Sequence, residues 1–137
     1  MSFDPFLISL PIADRPTSYA FYREALGLTA IGELADDGVP EPLLFALNDA
    51  TRLMLVPTGG FGWVIGDEKE VAGPATCECV LGITAGSDAE VDAIVERARR
   101  AGATVAAEPA PQPWGYATTF TDPDGHVWNV TSATLPG

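Results

Sequence analysis

Basic residues are scarce in this 137-residue chain: one lysine, Lys69, and six arginines stand against nineteen acidic residues, a net charge of −12. Without a basic patch to neutralise phosphates, nucleic acid is excluded as a partner, whereas an acidic surface attracts cationic ligands. Histidine is reduced to His126, so no multi-histidine metal centre can form. Apolar runs of eighteen or more residues are absent, and no membrane-spanning helix is encoded. The opening MSFDPFLISL lacks a basic n-region, so the expectation is a cytoplasmic protein without a secretory leader. Cysteine is limited to Cys77 and Cys79. Their spacing matches neither redox CxxC nor zinc-ribbon pairs, and they are expected to be plain buried thiols.

What is present is a repeat within one expected domain, 1–137. FLISLPI (6–12) has the β-branched and large apolar residues of a strand, and Asp14 and Pro16 then open a helix. Ser18, Phe21, Tyr22 and Ala25 fall at i, i+3, i+4 and i+7, and Gly27 closes the helix. CVLGIT (79–84) is a second such strand. Ser87 and Glu90 form a capping box, Val91, Ile94, Val95 and Ala98 make the same stripe, and Gly102 ends it. ALGLTAIGE (25–33) and RAGATVAAE (100–108) match at an offset of 75. Three further strands follow each helix: LTAIGEL, LLFAL and RLMLV, then TVAAE, YATTF and HVWNV. The expectation is an α+β fold of two βαβββ modules, about 5–57 and 76–132, joined by a loop at 58–75. Their sheets form a curved, cup-shaped mixed sheet with helices on the outer face.

Asp122-Pro123-Asp124-Gly125 is turn chemistry, with proline suited to the second position and glycine to the fourth. His126 follows that turn and is expected to be structural, facing away from the cup together with Trp128.

The repeat, FYREALGL (21–28), RARRAGATV (97–105) and the hairpin WGYATTFTDPDGHVWNV (114–130) resemble the vicinal oxygen chelate superfamily, which includes glyoxalase I, extradiol dioxygenases and the bleomycin and fosfomycin resistance proteins. The spelling is most similar to bacterial predicted glyoxalases. The resemblance implies a site in the cup, with metal ligands on the first and last strands of each module in members that use a metal. The corresponding residues read Leu7, Met54, Glu78 and Asn129. One carboxylate and one amide do not hold a catalytic cation, so neither metal nor cofactor is expected.

Strand alternation from Leu7 brings Ser9 to the same cup face. Two segments border the mouth: a long glycine-rich loop with Phe61 and Trp63, and a proline-stiffened arm with Trp114 and Tyr116. These aromatics either stack on a ligand or cover sheet ends and a dimer seam. Glu78 is either a desolvated base or cation anchor, or a solvated residue at the rim. The resemblance therefore implies a metal-free protein, homodimeric in the manner of its relatives, binding an aromatic or cationic small molecule as drug-sequestering proteins do. The alternative is an enzyme, a lyase, isomerase or dioxygenase-like member, using Glu78 as base with Ser9, Asn129 or Tyr116 as polar partners.

Overall fold

The computed structural model describes residues 3–133. Strand β1 (Phe6–Ile12) leads into helix α1 (Arg15–Leu26), followed by β2 (Thr29–Ile31), β3 (Leu43–Ala46) and β4 (Thr51–Pro57). A short helix, α2 (Thr58–Ile65), comes next. Then β5 (Val80–Thr84), α3 (Asp88–Arg100), β6 (Thr104–Gln112), β7 (Gly115–Thr121) and β8 (Val127–Thr131) repeat the first pattern. Each module builds one four-stranded sheet, ordered β1-β4-β3-β2 and β5-β8-β7-β6. In both, the first strand lies parallel to the last and the remaining pairs are antiparallel. Among the described residues no helix is long and apolar enough to cross a membrane.

Local chemistry starts and stops both long helices as the sequence predicts. Asp14 caps α1 by accepting the Thr17 N–H at 3.0 Å, and Gly27 ends it at φ +63°. Ser87 caps α3 by accepting the Glu90 N–H at 3.1 Å, while the Glu90 carboxylate accepts the Gly86 N–H at 2.8 Å. The predicted stripes are the inward faces: Phe21, Tyr22 and Ala25 on α1, and Val91, Val95 and Ala98 on α3, are buried.

One apolar cluster takes side chains from both modules, joining Phe21, Tyr22, Phe45 and Leu53 to Val95, Phe120 and Trp128. Tyr22 stands among aromatic rings, 5.0 Å from Phe21, 5.8 Å from Phe45 and 5.8 Å from Trp128 between centroids. Such pairings add about 1 kcal/mol each beyond the area they bury. Alternation assigns the sheet faces. Leu10 and Ile12 in β1, Leu53 and Leu55 in β4, and Trp128 and Val130 in β8 point to the core. Leu7 and Ser9 point the other way and are exposed.

Three expectations are corrected. Residues 58–65 form a helix, not a loop, although three glycines disfavour one by about 1 kcal/mol each. Packing overrides propensity here: Phe61 and Ile65, four apart, line one side of α2, and a Cβ on Gly60 or Gly62 would meet only ordinary contacts, at 3.4 Å from Val56 and Val71. The arm at 109–116 is the β6–β7 hairpin, since β6 runs through Gln112 and β7 begins at Gly115. Finally, Cys77 and Cys79 are both exposed, because β5 begins only at Val80 and the preceding residues lie outside the sheet.

Candidate ligand-binding site

The stretch after β7 is a joint between modules. Asp122 Oδ1 accepts the N–H groups of Asp124 and His126, both at 2.9 Å, which closes the turn. Asp122 Oδ2 accepts the Tyr22 hydroxyl at 2.5 Å, and that hydroxyl accepts the Trp128 indole N–H at 3.0 Å. Burial pushes the Asp122 carboxyl above its ordinary range, and the Tyr22, His126 and Asp124 hydrogen-bond donors only partly offset this. Burial also pushes the Tyr22 phenol well up, with the Asp122 charge adding to it. Asp124 reaches the start of α1, accepting the Ala13 N–H at 2.8 Å and the Ser18 hydroxyl at 3.3 Å. His126 Nε2 lies 2.6 Å from the Pro11 carbonyl. A carbonyl only accepts, so this nitrogen carries the proton, and the histidine ties the turn to β1.

Beside this joint lies a cavity of about 330 Å3. Its floor includes Ser9, Leu10 and Pro11 of β1, and α2 contributes Phe61 and Ile65. Segment 69–79 supplies Lys69, Glu70, Cys77 and Glu78, and the turn supplies His126. The wall is therefore apolar on the β1 and α2 sides and polar along the linker, with two carboxylates and one ammonium.

Of the residues expected at the site, Ser9, Phe61 and Glu78 meet in this cavity. Glu78 is exposed and precedes β5, so the solvated position at the rim is the one realised. Leu7, Met54 and Asn129 lie outside the cavity lining, Leu7 exposed and the other two half-buried. The Asn129 amide is occupied within its own sheet, donating to Thr119 Oγ1 at 3.1 Å and to the Thr118 carbonyl at 3.3 Å. Trp63 is 85% exposed, since Phe61 and Ile65, four apart, take the inner side of α2. Trp114 sits in the turn of the β6–β7 hairpin, 61% exposed. Tyr116 is directed elsewhere. It shares the parity of buried Phe120 on β7, and its hydroxyl donates to Asp92 of α3 at 2.7 Å. Sequence reasoning missed Ile65 as a lining residue, although its spacing from Phe61 is a helical signal. It gave His126 a structural role, which the bond to Pro11 bears out, but not its place beside the cavity.

The helices correct one alignment. Asp14 and Ser87 cap α1 and α3, so the helical offset is 73, and the position equivalent to Leu7 is Val80, not Glu78. The pairings agree: Ser9 lies opposite Met54, and Gly82 opposite Asn129. The first- and last-strand positions that carry ligands in metal-using relatives thus read Leu7, Met54, Val80 and Asn129. This donor set does not fit a divalent metal, which needs several anionic or imidazole ligands at about 2 Å. Among the described residues, no group of three or more His, Cys, Asp or Glu side chains is arranged to hold one.

The family model for the glyoxalase/bleomycin resistance protein/dioxygenase superfamily matches residues 6–130. The chain belongs to that superfamily. Among solved structures, a glyoxalase-related enzyme from Fulvimarina pelagi superimposes with a TM-score of 0.79 at 22% identity, covering 96% of this chain and 97% of that one. The hypothetical protein SA1046 from S. aureus gives 0.78 at 23%, covering 96% and 94%. TnmS3, an antibiotic binding protein from Streptomyces sp. CB03234, gives 0.64 at 23%, covering 98% of each chain. At these identities the likeness establishes the superfamily's fold and no particular activity. No curated protein matches.

Proposed function

We propose that this chain is a small-molecule-binding member of the superfamily that sequesters an aromatic or cationic ligand without a metal. The observation that carries the reading is the cavity itself. About 330 Å3 lies within the range of small-molecule pockets, and it combines apolar walls at Leu10, Pro11, Phe61 and Ile65 with carboxylates at Glu70 and Glu78. The side chains at the superfamily's ligand positions supply no metal donors of the needed kind, which supports binding without a metal. That TnmS3 is an antibiotic binding protein supports a toxic natural product as one version of the ligand. The family resemblance supports a homodimer, to whose partner exposed Phe6, Leu7, Trp63 and Trp114 would offer apolar surface. The cytoplasm is the proposed compartment.

The test is elemental analysis combined with thermal melts in chelator and in added zinc, nickel, manganese and iron, followed by a screen of aromatic cations. The expected result is no stoichiometric metal, no shift with any ion, and a rise of several degrees with at least one aromatic cation that Phe61→Ala removes. Stoichiometric metal, or a complete screen without a shift, overturns the proposal.

A second reading rests on Ser9 and Glu78 sharing the cavity. It makes the protein an enzyme in which Glu78 removes a proton from the substrate. Turnover that disappears in Glu78→Gln supports this reading, and unchanged turnover excludes it.

A further inference from the structure

Behind the sheets, on the side of the helices, a second and larger cleft of about 680 Å3 opens between the modules. Its walls come from the facing free edges β1 and β5 and from both long helices, through Ile8, Leu26, Leu28, Leu81 and Ile94. All five pack against the common core yet stay only half-buried. Large aliphatic side chains that converge on an open cleft at the edge of the core give it apolar walls, the usual composition of a small-molecule pocket.

One cation stands at its border. Arg97 of α3 lies across the end of α1, its guanidinium donating to the Glu24 carbonyl at 3.1 Å and resting against Gly27, where a Cβ would approach it to 3.3 Å. The ion pairs among the described residues belong to Arg15, with Asp37 and Glu41, and to Arg99, with Glu96 and Glu108. None involves Arg97. A guanidinium carries five N–H donors, and this one is anchored by its bond to the α1 backbone while further donors remain for a ligand. On the rim, Asn48 and Thr51 add polar groups, and Arg52 donates to the Asn48 carbonyl at 2.8 Å. The overall charge of −12 disfavours anions at long range, so the local attraction for a carboxylate rests on this guanidinium, which no acidic side chain pairs among the described residues.

We infer that the cleft is a second small-molecule site, separate from the cavity under α2, that takes an amphipathic carboxylate with its apolar tail between the modules and its head group on Arg97. An acyl or aryl chain of about ten carbons fits within its volume. The inference does not depend on the ligand of the first cavity.

The probe is decanoate, with decanol as the uncharged control of equal length, followed by calorimetry and thermal melting on the intact chain. Decanoate is expected to saturate one site per chain and to bind about tenfold more tightly than decanol, a difference of about 1.4 kcal/mol. Arg97→Met, which keeps the aliphatic stem, is expected to erase that preference. Ile94→Trp is expected to fill the cleft and abolish binding of both probes. A folded, cooperatively melting Leu81→Phe serves the same purpose if Ile94→Trp does not fold. Phe61→Ala is expected to leave decanoate binding unchanged, which separates this site from the first cavity. Absence of saturable binding overturns the inference, as does a preference that survives Arg97→Met or binding lost in Phe61→Ala.

Discussion

The hydroxyl of Tyr22 donates to Asp122 across 100 residues of sequence, and the same oxygen accepts the indole N–H of Trp128. This pair links the helix of one module to the turn of the other inside the apolar core. Together with the contact from Asp124 to Ala13 and that from His126 to Pro11, it makes the Asp-Pro-Asp-Gly-His stretch a clamp between modules.

Tyr22→Phe leaves Asp122 Oδ2 and the Trp128 N–H without their partner, while Asp122 Oδ1 keeps the Asp124 and His126 N–H groups and ring packing is preserved. Leaving such buried groups unsatisfied costs about 1–3 kcal/mol each. The expected outcome in urea denaturation at neutral pH is a lower midpoint with an unchanged slope. A midpoint equal to wild type would show that the hydrogen bonds contribute nothing net.

Burial raises the Asp122 pKa, so the folded chain holds a proton over a pH window in which the unfolded chain has already released it. The stabilising contribution of this group is therefore complete below its unfolded pKa of about 3.9 and is lost as pH rises through the folded value. Relative to Asp122→Asn, which does not titrate, wild type is expected to lose stability as pH rises above about 4 and through the raised folded pKa. A carbon-detected NMR titration of the Asp122 carboxyl gives the midpoint, and one at or below the ordinary aspartate value would refute the assignment.

Gly125 adopts φ +86°, and a Cβ there would fall 2.6 Å from the Pro74 carbonyl oxygen. Backbone cannot move aside as a flexible side chain does, and the left-handed conformation adds strain for any L residue. Gly125→Ala is expected to destabilise the fold by about 2 kcal/mol or more, measured by thermal and urea melts. It should also perturb the adjoining cavity, where His126 and segment 69–79 meet.

Ser87→Ala removes the side-chain cap of α3 and is expected to cost about 1 kcal/mol in urea denaturation, with Ser87→Asp restoring most of it. Asp124→Ala removes two acceptors that span the modules and should cost a similar amount. Its effect is expected to fall on amide exchange at Ala13, which loses its partner.

Much of this architecture was legible in the chain itself. The 3.6-residue stripes of α1 and α3, their Asp14 and Ser87 caps and the alternation in β1, β4 and β8 are local consequences of side-chain geometry. They specify which face is apolar whatever else is nearby. So does the turn at 122–125, whose residue types encode its backbone.

The site was less legible, because its parts depend on what packs against what. Glycines at 59, 60 and 62 argue for a loop, yet a helix forms whose inner side carries Phe61 and Ile65 and leaves Trp63 out. The start of β5 at Val80 leaves Cys77, Glu78 and Cys79 outside the sheet, a boundary that strand propensity alone does not mark. Tyr116 goes to Asp92 because β7 presents that face to α3. The sequence alone determined two repeated modules and their apolar faces. The tertiary structure decided where the cavities open, since that follows from contacts between residues distant in the chain, which no local pattern encodes.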